Sequence, residues 1–185
     1  VTDISHFKTG FGVSTKLDFN NVDPRRVTLN PKTNEVFLTS ENGRLFSKSL
    51  KNGNTVELTE VDAFVRCVAV VNNQQWVGTD NGIYVLEAGE VVAKYSVDNG
   101  LGGQKVNGVY HYAAANETWI TFLGGYVTVF RNGRFKQFNN ELGLTSKVIQ
   151  DAAFDSDGNI WLASYDQGLF KVENDTFQNL STKNG

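Results

Sequence analysis

The chain alternates short apolar runs with clusters of Asn, Asp, Gly and Ser. Val65–Val71, Val106–Ala114 and Val148–Phe154 have strand length and are rich in β-branched residues. The stretch Asp155–Phe170 compresses the pattern. Asp155-Ser-Asp-Gly-Asn159 is a turn cluster, and Ile160–Ser164 is a short strand carrying Trp161. Asp166-Gln-Gly168 turns the chain again, and Leu169-Phe170 opens another strand.

That hairpin occurs four times. Its leading aromatic recurs as Phe37, Trp76, Trp119 and Trp161, at gaps of 39, 43 and 42 residues. The glycine after it recurs as Gly43, Gly82, Gly125 and Gly168, at gaps of 39, 43 and 43. An apolar strand and a polar turn precede each copy. A third strand and a tight turn follow it, the strongest turn signal being Asn132-Gly133 between Phe130 and Phe135. Where a fourth strand is legible it carries an aromatic near its end: Val91–Tyr95, Arg134–Phe138 and Thr176–Leu180. A period of roughly 40–45 residues built only of strand signals predicts an all-β propeller of four-stranded antiparallel blades.

The expected organisation is one segment over residues 1–185. An outer strand of a preceding blade fills 1–9, and four blades fill about 10–55, 56–97, 98–140 and 141–182. The links Lys8–Ser14, Val97–Lys105 and Asn140–Lys147 resemble one another, and Ser181–Gly185 reads as the opening of another. Four blades lie at the low end for ring closure. The segment is therefore expected to be an arc of a larger propeller, whose end faces invite further blades or self-association.

Composition changes the picture little. With 40% apolar residues, 18 Gly and only 2 Pro among 185, the chain suits many short strands. A net charge of −3 with mixed signs and no basic run argues against nucleic acid as a partner. Cys67, the only cysteine, excludes an internal disulfide, and its apolar strand predicts a buried, inert thiol. No run of about 18 apolar residues offers a membrane span. The absence of methionine suggests a processed protein or an excised segment.

One copy of the repeat has a further signature. Gly143-Leu144, Val148, Asp155, Gly158-Asn159, Trp161, Ala163-Ser164 and Gly168-Leu169 together resemble the two-component regulator propeller repeat. The other copies depart from it. The second, matching at Gly78-Thr79 and Gly82-Ile83, lacks the Asp-x-x-Gly turn; the first has Phe37 for Trp, and the third has Phe122-Leu123 at the later turn. The resemblance implies the extracytoplasmic sensor portion of a bacterial hybrid histidine kinase or diguanylate cyclase. It implies a non-enzymatic sensing or dimer-forming role, and it carries no ligand site, because its residues hold turns and cores.

Chemistry-bearing patterns are sparse. Asp155-Ser-Asp157-Gly-Asn159 superficially resembles a calcium loop but lacks the third early ligand and the distal Glu, so it reads as a hairpin turn. Gly100-Leu-Gly102-Gly103 has neither P-loop spacing nor a following helix and reads as a link. His6 and His111 stand beside no nucleophile motif. His111 reads first as a packed or solvated side chain, with a channel-lining place as the alternative. Trp76, Trp119 and Trp161 read as inter-blade core because they repeat. No catalytic residue, metal site or cofactor is expected.

A binding surface is expected where loops between second and third strands meet the links. Asp80, Asn81, Leu123, Tyr165, Asp166 and Gln167 come from the loops, and Arg25, Arg26, Gln104, Lys105 and Lys147 from links or strand starts. Arg66 and Gln150 on inner strands are expected to reach the channel. Tyr165 beside Asp166 would suit a carbohydrate or peptide, a stacking face next to an acceptor. The leading expectation is an extracytoplasmic, periplasmic sensor or interaction propeller. The alternatives are a propeller glycosidase or lyase and a general interaction scaffold.

Overall fold

A computed structural model describes residues 7–8, 14–15, 22–138 and 142–180. Strands β1 (Phe7–Lys8) and β2 (Ser14–Thr15) pair as a two-stranded ribbon. Four antiparallel sheets follow. The first holds β3 (Pro24–Asn30), β4 (Glu35–Ser40), β5 (Leu45–Ser49) and β6 (Thr55–Glu57). The second holds β7 (Val65–Val71), β8 (Gln74–Thr79), β9 (Gly82–Glu87) and β10 (Glu90–Tyr95). The third holds β11 (Val106–Tyr112), β12 (Glu117–Phe122), β13 (Val127–Arg131) and β14 (Arg134–Phe138). The fourth holds β15 (Ile149–Phe154), β16 (Ile160–Ser164), β17 (Gly168–Glu173) and β18 (Thr176–Leu180). Each sheet is a meander in chain order, as the repeat predicts. Most of the expected leading strand over 1–9, with His6, and the link start at 181–185 lie outside the described residues.

The turn chemistry explains the repeating glycines. Asn132 and Gly133 take φ of 50° and 76°, the left-handed pair that suits a two-residue hairpin between β13 and β14. Gly82 has φ +89°, and a Cβ there would stand 2.1 Å from the carbonyl oxygen of Tyr95, on the chain leaving the same sheet. Glycine recurs at this point because both the backbone angle and the close approach forbid a side chain.

The core lies between sheets. Phe37 and Leu45 from the first sheet pack with Val65, Val68, Val77, Tyr84 and Leu86 from the second. Trp76 packs among Val106, Val109, Ile120 and Phe122 of the third, its ring 5.1 Å from Phe130. Trp119 is fully buried against Ile160, Leu162 and Phe170 of the fourth, stacked on Phe138 at 5.7 Å. On the second strand the leading aromatic therefore faces the following sheet. The alternate positions Val77, Ile120 and Leu162 face the preceding one.

Trp161 occupies the same repeat position but is only half-buried. Its sheet has no successor among the described residues. Leu169 and Leu180, which register with Ala163 on its side of the sheet, are 37% and 42% exposed. At the other end Val27 and Leu29 of β3 are 41% and 47% exposed. Cys67 is buried, and burial pushes its thiol up to about 11, so it is un-ionised at neutral pH.

The difference between equivalent tryptophans gives a test. Trp119→Ala should cost about 3–5 kcal/mol, the loss expected for emptying a large aromatic site. Trp161→Ala in the same chain should cost clearly less, read from urea unfolding of the two variants. Equal losses would contradict the end-blade assignment of Trp161.

Candidate functional site

Backbone hydrogen bonds join the loops between second and third strands to the starts of the inner strands. Glu41, Asp80, Leu123 and Tyr165 each donate N–H to the carbonyl of Asp23, Phe64, Lys105 and Val148. Neighbouring sheets are stitched at the same rim: Val65 donates to Gly43, Gly82 to Gln104 and Gly124 to Lys147. Loops and links therefore share one face, as the repeat predicts.

On that face the candidate residues form three separate groups. Arg66 and Asp80 are ion-paired. Gln104 Nε2 donates to Asn81 Oδ1 at 3.2 Å. The third group is Asp166 with Ser146, Ser164 and the backbone N–H of Lys147. The buried Ser146 hydroxyl donates to Asp166 Oδ1 at 2.7 Å and, with Ser164, holds that carboxyl below the usual carboxylate range. The N–H groups of Asp166 and Gln167 both donate to Ser164 Oγ, so Asp166 organises its own loop. Tyr165 projects freely, 78% exposed. Neither of the two clefts described below contains these groups. Among the described residues the side chains of Tyr165, Gln167, Lys105 and Lys147, and of Arg25 and Arg26 at the first strand start, take no hydrogen bond or ion pair.

The inner strands carry a feature that residue patterns do not reveal. The register slips by one residue at the start of each, between Pro24 and Arg26, Val65 and Cys67, Val106 and Gly108, and Ile149 and Asp151. The bulged residues are Arg25, Arg66, Asn107 and Gln150, all polar, at equivalent positions of the four inner strands. A bulge re-aims a side chain away from the pleat. Asn107 spends its amide on the carbonyl of Ile149 at 2.7 Å, tying the third sheet to the fourth. Arg25 and Arg66 both lie over the ring of Phe64, each with its guanidinium carbon 5.7 Å from the centroid.

Two clefts flank these residues. One of about 400 Å³, at the opposite end of the inner strands, is lined by Thr28, Asn30, Val68, Asn72, Val109 and His111. His111 thus lines the channel side; its Nδ1 lies 3.1 Å from Thr118 Oγ1, and burial lowers its pKa. The other, about 410 Å³, lies on the loop-and-link face and is bordered by Asn42, Gly43, Arg44, Leu58, Asp62 and Phe64.

The acidic turn resembling a calcium loop is saturated from within. Asp155 Oδ1 accepts the N–H groups of Asp157 and Asn159, at 3.0 and 2.8 Å. Its Oδ2 accepts Asn159 Nδ2 and Trp161 Nε1, at 2.8 and 2.9 Å. The repeat's Asp and Trp are thus one hydrogen-bonded unit. Among the described residues no group of three or more His, Cys, Asp or Glu could hold a metal ion, and no helix is long and apolar enough to cross a membrane.

Residues 143–166 match the family described as two component regulator propeller, covering Gly143-Leu144, Asp155 and Trp161. No curated protein matches the chain. Among solved structures, the extracellular domain assigned to the hybrid two component system BT3049 of B. thetaiotaomicron is similar at a TM-score of 0.79 and 20% identity. That likeness covers 95% of this chain and 25% of that one. The extracellular domain assigned to the one component system BT4673 of the same organism is similar at 0.67 and 18% identity, over 97% and 24% of the two chains. The WD40 beta propeller domain of Doa1 is similar at 0.64 and 15% identity, over 84% and 52%. The chain spans about a quarter of the length of the first two. At these identities the likeness is one of fold, and the four sheets are propeller blades.

The Asp155 turn predicts a pH dependence. The bonds from Trp161 and Asn159 hold its carboxyl down to about 2, against 3.8 for an unperturbed Asp. A carboxyl depressed on folding stabilises the fold above its unfolded pKa and loses that contribution as pH falls through the folded value, here from about 4 to about 2. Asp155→Asn should therefore lose less stability than the unaltered chain over that window, in urea midpoints measured along it. Identical acid limbs would show that the turn does not depend on the ionised carboxylate.

Proposed function

We propose that the chain is an arc of an extracytoplasmic sensor propeller in a bacterial signal-transduction protein, binding a ligand or partner without catalysing a reaction. The regulator-propeller repeat at residues 143–166 carries this reading. Its likeness to two extracellular domains of sensor systems, each about four times its length, supports both the compartment and the larger ring. Blades would divide at the links near residues 56, 98 and 141. The half-buried Trp161 and the exposed Leu169 and Leu180 supply a face for a further blade or a second copy. Tyr165 and Gln167 are the residues on the loop face best placed for a carbohydrate or peptide, with Asp80, Asn81, Arg66, Gln104, Lys105, Lys147 and Asp166 around the rim.

The rival reading is a propeller enzyme acting on carbohydrate, a glycosidase or lyase; glycoside hydrolysis canonically needs a pair of facing carboxyls. Asp80 is paired with Arg66 and Asp166 is held by Ser146 and Ser164, so neither stands ready as an acid or base. This favours binding over turnover.

The test uses the parent protein in intact cells with its own output as the readout. Externally added glycans or peptides should change that output, and Tyr165→Ala, at a freely exposed position, should blunt the response without lowering the melting temperature. Cleavage of an added glycan by the purified chain, or protection of the segment from an external protease in permeabilised-envelope cells by a cytoplasmic location, would overturn the proposal.

A further inference from the structure

Three arginines, Arg25, Arg26 and Arg66, come to the rim where the first two blades meet, with the acidic residues Asp23, Glu41 and Asp80 beside them. Arg25 and Arg66, both bulged residues, lie over the one ring of Phe64, each 5.7 Å from its centroid, so their guanidinium carbons are within 11.4 Å of each other. Arg26 follows on the side of β3 that faces β7, where Thr28 two residues on donates to the carbonyl of Val68. One carboxylate, Asp80, is paired here, and it pairs with Arg66. Among the described residues Arg25 and Arg26 have no ion-pair or hydrogen-bond partner.

The surroundings fix the cluster. A Cβ on Gly43 would stand 2.5 Å from the Phe64 ring, so the ring is seated on that glycine. The seated ring orients both guanidiniums by cation–π attraction; Arg66 Nε donates to Asp80, and the Arg25 fork is left for another group. Beyond Phe64 opens the cleft of about 410 Å³, within the range of small-ligand sites. Its carboxylates are occupied: Glu57 pairs with Arg44, and Asp62 takes the Tyr84 hydroxyl with Lys94 3.6 Å away.

We infer that this rim is an oxyanion site: Arg25 and Arg26, beside the Arg66–Asp80 pair, receive a carboxylate or sulfate of an acidic ligand whose body lies in the Phe64 cleft. Guanidinium forks match the planar edge of a carboxylate and two oxygens of a sulfate equally well, so the shared chemistry is the oxyanion. The inference deepens the ligand-binding reading above and rests on it for its biological use.

The test titrates the chain with three probes: a galacturonic acid trisaccharide, a sulfated neutral trisaccharide, and the uncharged trisaccharide. At least one acidic probe should bind saturably by calorimetry, more weakly as salt rises. It should also shift the Nε–Hε resonances of Arg25 and Arg26. Replacing both, by Arg25→Gln with Arg26→Gln, should weaken that binding about tenfold to a hundredfold, the worth of lost charge-assisted bonds. Which acidic probe binds tells carboxylate from sulfate. The resonance shifts are read on the unaltered chain, so the test survives a poorly folding variant. Equal binding of charged and uncharged probes, unmoved arginine resonances, or no saturable binding of either acidic probe would overturn the site. Binding of a neutral glycan lost on Tyr165→Ala, with no saturable binding of either acidic probe, would sink this site and leave the sensor reading standing. Acidic binding that leaves the parent's output unchanged would do the reverse.

Discussion

Everything in this fold depends on one contact, repeated: the aromatic of a blade's second strand buried in the blade that follows. Phe37, Trp76 and Trp119 each occupy that place. A sheet apolar on both faces is unstable alone and stable between neighbours, which is the energetic logic of any array built by stacking. The contact also fixes where polar groups can go. With both faces of each blade committed to packing, side chains free for recognition are confined to the rims and the inner strands.

The rims are themselves heavily used. Most polar residues of the loop-and-link face hold that face together, as Asp166 does for its own loop and Asn107 does between the third and fourth blades. Among the described residues the side chains left without a hydrogen bond or ion pair on this face include Tyr165 and Gln167 on the last loop, Lys105 and Lys147 at two links, and Arg25 and Arg26 at the start of the first blade.

The fold was legible because its constraint is periodic. Four equivalent turns need glycine and four equivalent strands need a large aromatic, so each copy reported the others. Asp155 shows how far this carries: sibling comparison reads its acidic cluster as a turn, and three of the four bonds to its carboxyl come from that turn, the fourth from Trp161 on the strand that follows. The candidate site was less legible because side-chain pairing is spatial. Arg66 and Asp80 could be placed on one face, but their mutual neutralisation could not be read from spacing. The four bulges were hidden too, since a one-residue slip in register leaves no composition signal. Arg25, Arg66, Asn107 and Gln150 differ too much in size and charge to announce a common position. Trp161 was assigned to inter-blade core on periodicity, and the repeat position is right. Its burial is incomplete because no described sheet packs on its face of the fourth sheet.

Acrylamide quenching of single-tryptophan versions of the chain tests the stacking order most directly. Each would keep one of Trp76, Trp119 and Trp161, with phenylalanine at the other two positions. The account predicts that Trp76 and Trp119 are shielded and Trp161 is readily quenched at low protein concentration. A Trp161 as shielded as the other two in the dilute monomer, or a Trp119 as accessible as Trp161, would contradict the order of blades on which the fold and both proposed sites rest.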